Sequence, residues 1–372
     1  MLLLCRRLSC FRQICSFPSV LPRQKDPGQS VIAVNARFRS HRQAGMQRYA
    51  AELVRRFGDA ATLIVPRSPL RGVQGHLWEQ TVLPLRTGRR LLWSPNNTGP
   101  LSIEHQVCTI HDLIPLDHPE WFTPQFVRMN RVLIRLLAHK VRHIIAISQH
   151  TKERILELLG VPDNKVTVVP NGVDPAFATV SSQDTATHLS NFNLSAGRYV
   201  LCVGSLEPRK NLSRLLQAWD LVRERLPADF ELVIAGGAGS KTVFAEELRA
   251  PIPAKARFLG YVPEGALPAL YAGAAAFVYP SLSEGFGLPP LEAMAAGTPV
   301  ITSATSAIPE ITAGAALLID PRSASEIGSA IHKLVESPSL CDAMRKAGKL
   351  RAQEFSWDNS SNTTLKLLER YA

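Results

Sequence analysis

The chain has 372 residues, 45% of them hydrophobic, and a formal net charge of +11. That length suits two domains of ordinary size, and the apolar fraction is ample for two cores. No apolar run reaches the length of a membrane-spanning helix and the six cysteines contain no C-x-x-C, so a protein of the reducing cytoplasm is expected, soluble or peripheral on the inner face of the plasma membrane.

Residues 1–29 carry five basic residues and three cysteines, with no acid before Asp26. This superficially looks like a transit peptide, but a disordered tail or a start assigned too early is the reading preferred. VIAVNA (31–36), ATLIVP (61–66), QVCTIHD (106–112), HIIAIS (143–148) and KVTVVP (165–170) read as strands, with helices over 45–57, 124–140 and 149–159. Strands alternating with helices predict an α/β fold with parallel sheets covered on both faces. His111 falls at the C-terminal end of a strand beside Asp112, where open α/β sheets bind ligands. A glycine turn at Gly45 opens the first helix, which carries Arg48. Arg128, Arg131, Arg135, His139 and Arg142 recur every three or four residues, while Val132, Leu133, Leu136 and Leu137 are expected on other faces. Such a stripe suits anionic lipid or a lipid diphosphate, or is simply a solvated face; nucleic acid is not expected as a partner.

Residues 175–196, rich in Ser, Thr and Asn, show little periodicity and read as a linker, taken as 177–195. Strands follow near 199–203, 231–235, 256–259, 274–280, 299–302 and 316–319. After YVLCV (199–203) comes GSLEPRKN, then a helix whose Leu212, Leu215, Leu216, Trp219 and Val222 share one face. Arg209 and Lys210 therefore stand at a loop-to-helix junction, beside Asn211 as an N-cap candidate. Cations at a helix start oppose its dipole, and a bound diphosphate would explain them. The stretch SLSEGFGLPPLEAMAAGTPVIT (281–302) places Glu284 in a glycine-rich loop and Glu292 eight positions on. Pro290 suits the first helical position and Gly297 the C-terminal stop, so Glu292 is expected half a turn to one turn into the helix. Free N–H groups and the positive helix end would hold phosphate, and a carboxylate at Glu292 could accept the hydroxyls of a ribose.

The E-x(7)-E pattern of Glu284 and Glu292, the EPRKN loop and PNGVD at 170–174 resemble the retaining, nucleotide-sugar-dependent glycosyltransferases of family 4, and among them the bacterial mannosyltransferases of surface polysaccharide and O-antigen assembly. The resemblance implies the GT-B architecture. An N-terminal Rossmann-like acceptor domain would span 30–176, a donor domain 196–356, and a C-terminal helix, 357–372, would return to the first domain. It implies that Lys210 and Arg209 hold the donor diphosphate, that Glu292 binds the ribose, and that Glu284 with Gly285, Phe286, Gly287 and Leu288 contacts the transferred sugar. Gly204, Ser205, Tyr261 and Val262 complete the donor set. His111 would lie near the donor sugar and the acceptor hydroxyl, giving His111, Glu284 and Lys210 as the catalytic group. Gly45, Arg48 and Asp112 face the acceptor. Many relatives carry an arginine where this chain has Ser205, which makes Lys210 the stronger diphosphate ligand. No D-x-D occurs, so metal-independent transfer is expected, with no cofactor beyond the nucleotide sugar as substrate.

GDP-mannose is the donor favoured by resemblance, and a glycan or polyprenyl-linked saccharide the acceptor. A UDP-sugar-dependent transferase and a nonhydrolysing sugar-nucleotide epimerase of the same fold are the alternatives. A dinucleotide dehydrogenase would want G-x-G-x-x-G after the first strand of either half, and neither 31–50 nor 199–211 supplies it.

Overall fold

The structure, a computed structural model, describes residues 32–40, 45–70, 72–237 and 251–372. The tail expected over 1–29 lies outside the described residues. Among the described residues, twelve strands form two parallel sheets of six. The first contains β1 (Ile32–Asn35), β2 (Ala61–Ile64), β3 (Leu91–Ser94), β4 (Gln106–Ile110), β5 (His143–Ala146) and β6 (Val166–Val168), in the order β2-β1-β3-β4-β5-β6. The second contains β7 (Tyr199–Val203), β8 (Glu231–Ala235), β9 (Ala256–Gly260), β10 (Ala276–Tyr279), β11 (Val300–Ser303) and β12 (Leu317–Ile319), in the order β12-β11-β10-β7-β8-β9. β3 is a strand missing from the sequence reading; LLWS is four residues long and fully buried, too short for periodicity to reveal.

In each sheet the strand order reverses once, between β1 and β3 and between β7 and β10. At such points the loops leaving the C-terminal strand ends diverge and open a crevice. In the second sheet these loops are Gly204–Lys210 and Pro280–Leu288, which hold the expected diphosphate residues. In the first they are Asn35–Arg37 and Pro95–Thr98.

The presumed linker is structured. Ser182–Ser190 is a helix whose N-cap, Ser181, accepts from the Asp184 N–H at 3.0 Å. Leu189 is buried, within reach of Gly273 and the Tyr199 hydroxyl, and the Phe177 ring meets Tyr271 edge-on at 5.5 Å. The segment thus packs on the second half; its signal was the cap spacing Ser181-x-x-Asp184 rather than hydrophobic period. A helix over Gly72–Thr87, with Pro84 inside it, was likewise unanticipated.

The C-terminal helix, Trp357–Tyr371, lies on the first half, against Gly45–Phe57. Arg56 Nε donates to Asp358 at 2.6 Å, and the Tyr371 ring stacks on His143 with its hydroxyl 2.8 Å from Nδ1. Gly172 of the PNGVD motif sits where the chain returns: a Cβ there would stand 2.1 Å from the Trp357 nitrogen.

Candidate active site

The loop after β10 delivers Glu284 into a nest of donors. Its Oε1 accepts from Lys210 Nζ at 2.6 Å, Ser281 Oγ at 2.6 Å and the Tyr279 hydroxyl at 2.8 Å. Its Oε2 accepts from Arg209 Nη1 at 2.6 Å. Burial works to raise the Glu284 carboxyl, but Arg209 and Lys210 outweigh it and hold the group down at about 2. Lys210 is lowered from its ordinary value by burial and by Arg209. Arg209 is fixed further by Glu207, whose Oε2 accepts from Nε at 2.8 Å and whose Oε1 accepts from Ser205. Gly204 leaves the Lys210 stem passing 3.5 Å from where its Cβ would be.

Asn211 occupies the N-cap position but does not cap. It adopts a left-handed conformation, φ 56°, and its Nδ2 donates to the carbonyls of Pro280, at 3.1 Å, and Pro321, at 2.6 Å. It therefore ties the loops that follow β7 and β10 together. The helix expected from Pro290 begins at Leu288 and ends at Ala296, with Gly297 left-handed at its C-terminus. Both prolines fit the first turn because its N–H groups need no intrahelical partner. Glu292 consequently lies more than one turn in. It is buried; Tyr271 donates to it at 3.0 Å, and Arg48 reaches it from the first half. Arg48 also meets Glu264 at 3.1 Å. The arginine expected on the acceptor side thus covers the carboxylate expected on the donor side.

The halves meet along the 285–288 loop. Gly285 O accepts from Ser148 Oγ at 2.7 Å and Thr151 Oγ1 at 3.1 Å, and a Cβ at Gly285 would lie 2.0 Å from the His111 carbonyl. A Cβ at Gly45 would lie 3.9 Å from Leu288 Cδ1. Glu310, just after β11, accepts from the N–H groups of Gln149 at 2.7 Å and His150 at 3.1 Å, so one half supplies the cap for a helix of the other.

His111 is buried with its ring edge-on to Tyr49 at 4.8 Å and its Nε2 donating to Pro95 O at 2.7 Å. Burial lowers it to about 4, so the neutral ring keeps Nδ1 as an acceptor. Asp112 is raised by burial; it lies beside Ser283, Glu284 and Gly285 and accepts from the Ile114 N–H at 3.2 Å. Phe286 packs in the core, edge-on to Phe355 at 5.8 Å, so only its backbone is available to a ligand. Val262 is buried and Tyr261 is 56% exposed, both just beyond β9.

Of the basic stripe, Arg128, Arg131, Arg135, His139 and Arg142 are exposed, but the helix ends at Lys140 and leaves Arg142 beyond it. Val132 and Leu136 do not turn inward; they are 57% and 46% exposed beside the arginines. Glu207, Tyr279, Ser281, Tyr271, Glu264 and Glu310 were missed as site residues. Glu207 stood inside the EPRKN motif and Tyr279 at a strand's C-terminal end, signals that were legible. Glu264 and Glu310 become relevant only through folding.

The family profile described as "Glycosyl transferases group 1" matches residues 189–351, and that of "Glycosyltransferase Family 4" matches 103–177. The O-antigen chain mannosyltransferase B of Escherichia coli is 31% identical over 273 residues, 73% of this chain and 72% of that protein. The O-antigen chain mannosyltransferase RfbU of Salmonella typhimurium is 28% identical, covering 73% and 71%. The E. coli serotype-specific mannosyltransferase WbdA is 27% identical over 70% of this chain but only 32% of its own length. Among solved structures, Anabaena HepE in complex with UDP and glucose superposes with a TM-score of 0.72 at 16% identity, over 92% of this chain and 99% of that one. WaaG, a glycosyltransferase involved in lipopolysaccharide biosynthesis, gives 0.72 at 15%, over 91% and 99%. The fold is that shared two-sheet GT-B architecture, and the chain belongs to the family 4, group 1 glycosyltransferases.

Proposed function

We propose that this enzyme transfers mannose, with retention, from GDP-mannose to a glycan or lipid-linked saccharide in the assembly of a cell-surface polysaccharide. The observation that carries the site assignment is the buried Lys210–Glu284–Arg209 cluster at the β7/β10 reversal, next to the helix start at Leu288. Lys210, Arg209 and the N–H groups of residues 285–288 would stabilise charge on the departing diphosphate, where one well-placed donor supplies about 2.7 to 4 kcal/mol of barrier. Glu292 would accept ribose hydroxyls after Arg48 swings away. Glu284, ion-paired with two cations and bonded to Ser281 and Tyr279, is poorly suited to attack an anomeric carbon. Front-face transfer, in which the leaving phosphate oxygen takes the acceptor proton, fits better than a covalent intermediate. The mannose assignment rests on the mannosyltransferase relatives.

No described helix is long and apolar enough to cross a membrane. The exposed Arg128, Arg131, Arg135 and Arg142, interleaved with Val132 and Leu136, would rest on anionic lipid at the inner face of the membrane.

Thermal unfolding with GDP, UDP or ADP, each with and without EDTA, tests the donor. GDP at 100 times its dissociation constant should stabilise by about 2.7 kcal/mol, unchanged by EDTA. A shift with UDP alone would replace the donor, and dependence on a divalent cation would end the metal-free reading. Lys210→Ala should lower kcat by about 10² to 10³; full activity would remove Lys210 from the diphosphate site.

A further inference from the structure

A second polar cluster occupies the reversal point of the first sheet, between β1 and β3, and no role above involves it. Glu79, from the helix Gly72–Thr87, is wholly buried. Its Oε1 accepts from Asn35 Nδ2 at 2.5 Å and Thr98 Oγ1 at 3.0 Å. Its Oε2 has no hydrogen-bond partner; Arg37 Nη1 stands 3.5 Å away and His76 Nδ1 3.6 Å. His76 Nδ1 is itself buried and without a hydrogen-bond partner. Arg37 Nη2 reaches Thr98 Oγ1 only at 3.4 Å. Arg37 and His76 thus answer the charge of Oε2 as ion pairs, but neither closes to a good hydrogen-bond distance, which leaves acceptor capacity on a buried carboxylate that a ligand hydroxyl could use.

The surroundings fix the geometry of the cluster. A Cβ at Gly75 would stand 3.1 Å from Leu70 O and 3.2 Å from Arg37 Nη1, so glycine makes room for the guanidinium. The loop that presents Thr98 turns through Asn97, left-handed at φ 45°. Asn97 accepts from the His111 N–H at 2.6 Å and donates to Asp112 O at 3.3 Å, so a single loop positions this cluster and His111 together. The side chains of Arg37 and His76, 14% and 22% exposed, form the rim.

Glu79 and Arg37 offset each other's charge, and with Asn35, Thr98 and His76 they offer donors and acceptors side by side. That balance suits an uncharged polyhydroxyl better than a phosphate. We propose that Arg37, His76 and Glu79, supported by Asn35 and Thr98, form a subsite for the ring hydroxyls of a pyranose unit of the acceptor. A hydroxyl entering between Arg37 and His76 would donate to Glu79 Oε2 and accept from the rim. The inference rests on the reading of the chain as a sugar transferase, and it adds the half of the molecule that recognises the acceptor.

The test uses saturation-transfer NMR on the full chain with methyl α-D-mannopyranoside, methyl α-D-galactopyranoside and methyl N-acetyl-β-D-glucosaminide, beside the nucleotide thermal shift. At least one glycoside should bind, and Glu79→Gln and Arg37→Gln should each weaken it about tenfold with the nucleotide shift intact. Arg37→Gln leaves the Asn35 and Thr98 bonds to Glu79 in place, so it remains informative if Glu79→Gln does not fold. No binding by any glycoside, or binding indifferent to both variants, overturns the subsite. Loss of the nucleotide shift in a folded Arg37→Gln protein would make the cluster purely structural and also overturns it. Absence of any nucleotide shift in the wild type would instead strike the donor reading, while glycoside binding still decides this one.

Discussion

At the scale of single residues, the site is a contest between burial and pairing. Glu284 is buried deeply enough that an isolated carboxyl would be neutral, yet two cations keep it charged. His111 shows the opposite outcome: no carboxylate pairs with its ring, and burial lowers it to about 4 from 6.5. The sign of its effect on stability follows. Above pH 6.5 neither state binds the proton, and the native protein keeps its full stability. Below that the unfolded chain takes up a proton the native ring refuses, so stability falls until the native ring titrates near pH 4, by about 1.4 kcal/mol per pH unit. His111→Gln removes this titration and retains a donor for Pro95 O. Urea unfolding of both proteins should show the wild type's advantage shrinking by about 1.4 kcal/mol between about pH 6 and about pH 5. His143, also lowered to about 4 by burial, is common to both proteins and cancels. Parallel pH profiles would mean that the His111 ring is not held neutral by the fold.

At the scale of elements, what could be read from the sequence was what periodicity and punctuation specify. The helices Gly45–Phe57 and Gln149–Leu159 and the strands β7 and β8 lie where their apolar patterns put them. Glu284 and Lys210 could be found because each sits at a strand-to-helix junction. Glu292 was visible as a residue but not as half of an ion pair, since its partner Arg48 is 244 positions away. The 182–190 helix was hidden because it buries little besides Leu189, leaving scarcely any hydrophobic period. PNGVD has a packing reason that no local pattern discloses: the chain returns across Gly172 at Ser356 and Trp357. Gly172→Ala must push that crossing apart, and a loss of about 1 to 3 kcal/mol is expected, the range typical of overpacking. The C-terminal helix should loosen first, seen as faster amide exchange over 357–371 than over β7 and β8. Unchanged stability and exchange would mean the crossing yields freely.

At the scale of the whole molecule, one apolar cluster runs from Tyr49 and Trp93 of the first half to Phe286 and Met294 of the second, and polar contacts add direction to that joint: Arg48 with Glu292 and Glu264, Ser148 and Thr151 with the Gly285 carbonyl, and Glu310 with the start of the 149–159 helix. Glu310 is distinct because its carboxylate meets two backbone N–H groups at the positive end of a helix dipole, contacts made only while the halves are together. Removing it should weaken the closed arrangement by about 1 to 2 kcal/mol, a factor of about 5 to 30 in a two-state ratio. Glu310→Ala should therefore enlarge the radius of gyration in small-angle scattering and lower kcat/KM, with GDP affinity retained because the residues proposed to bind it, Lys210, Arg209 and Glu292, all belong to one half. Glu310→Gln keeps one acceptor oxygen without the charge and should fall between the two. Wild-type scattering and wild-type kinetics in Glu310→Ala would show that the remaining contacts suffice for closure. Loss of GDP binding in the same variant would show that Glu310 supports the donor half itself, through the helix that begins at Ile308, rather than the joint between the sheets.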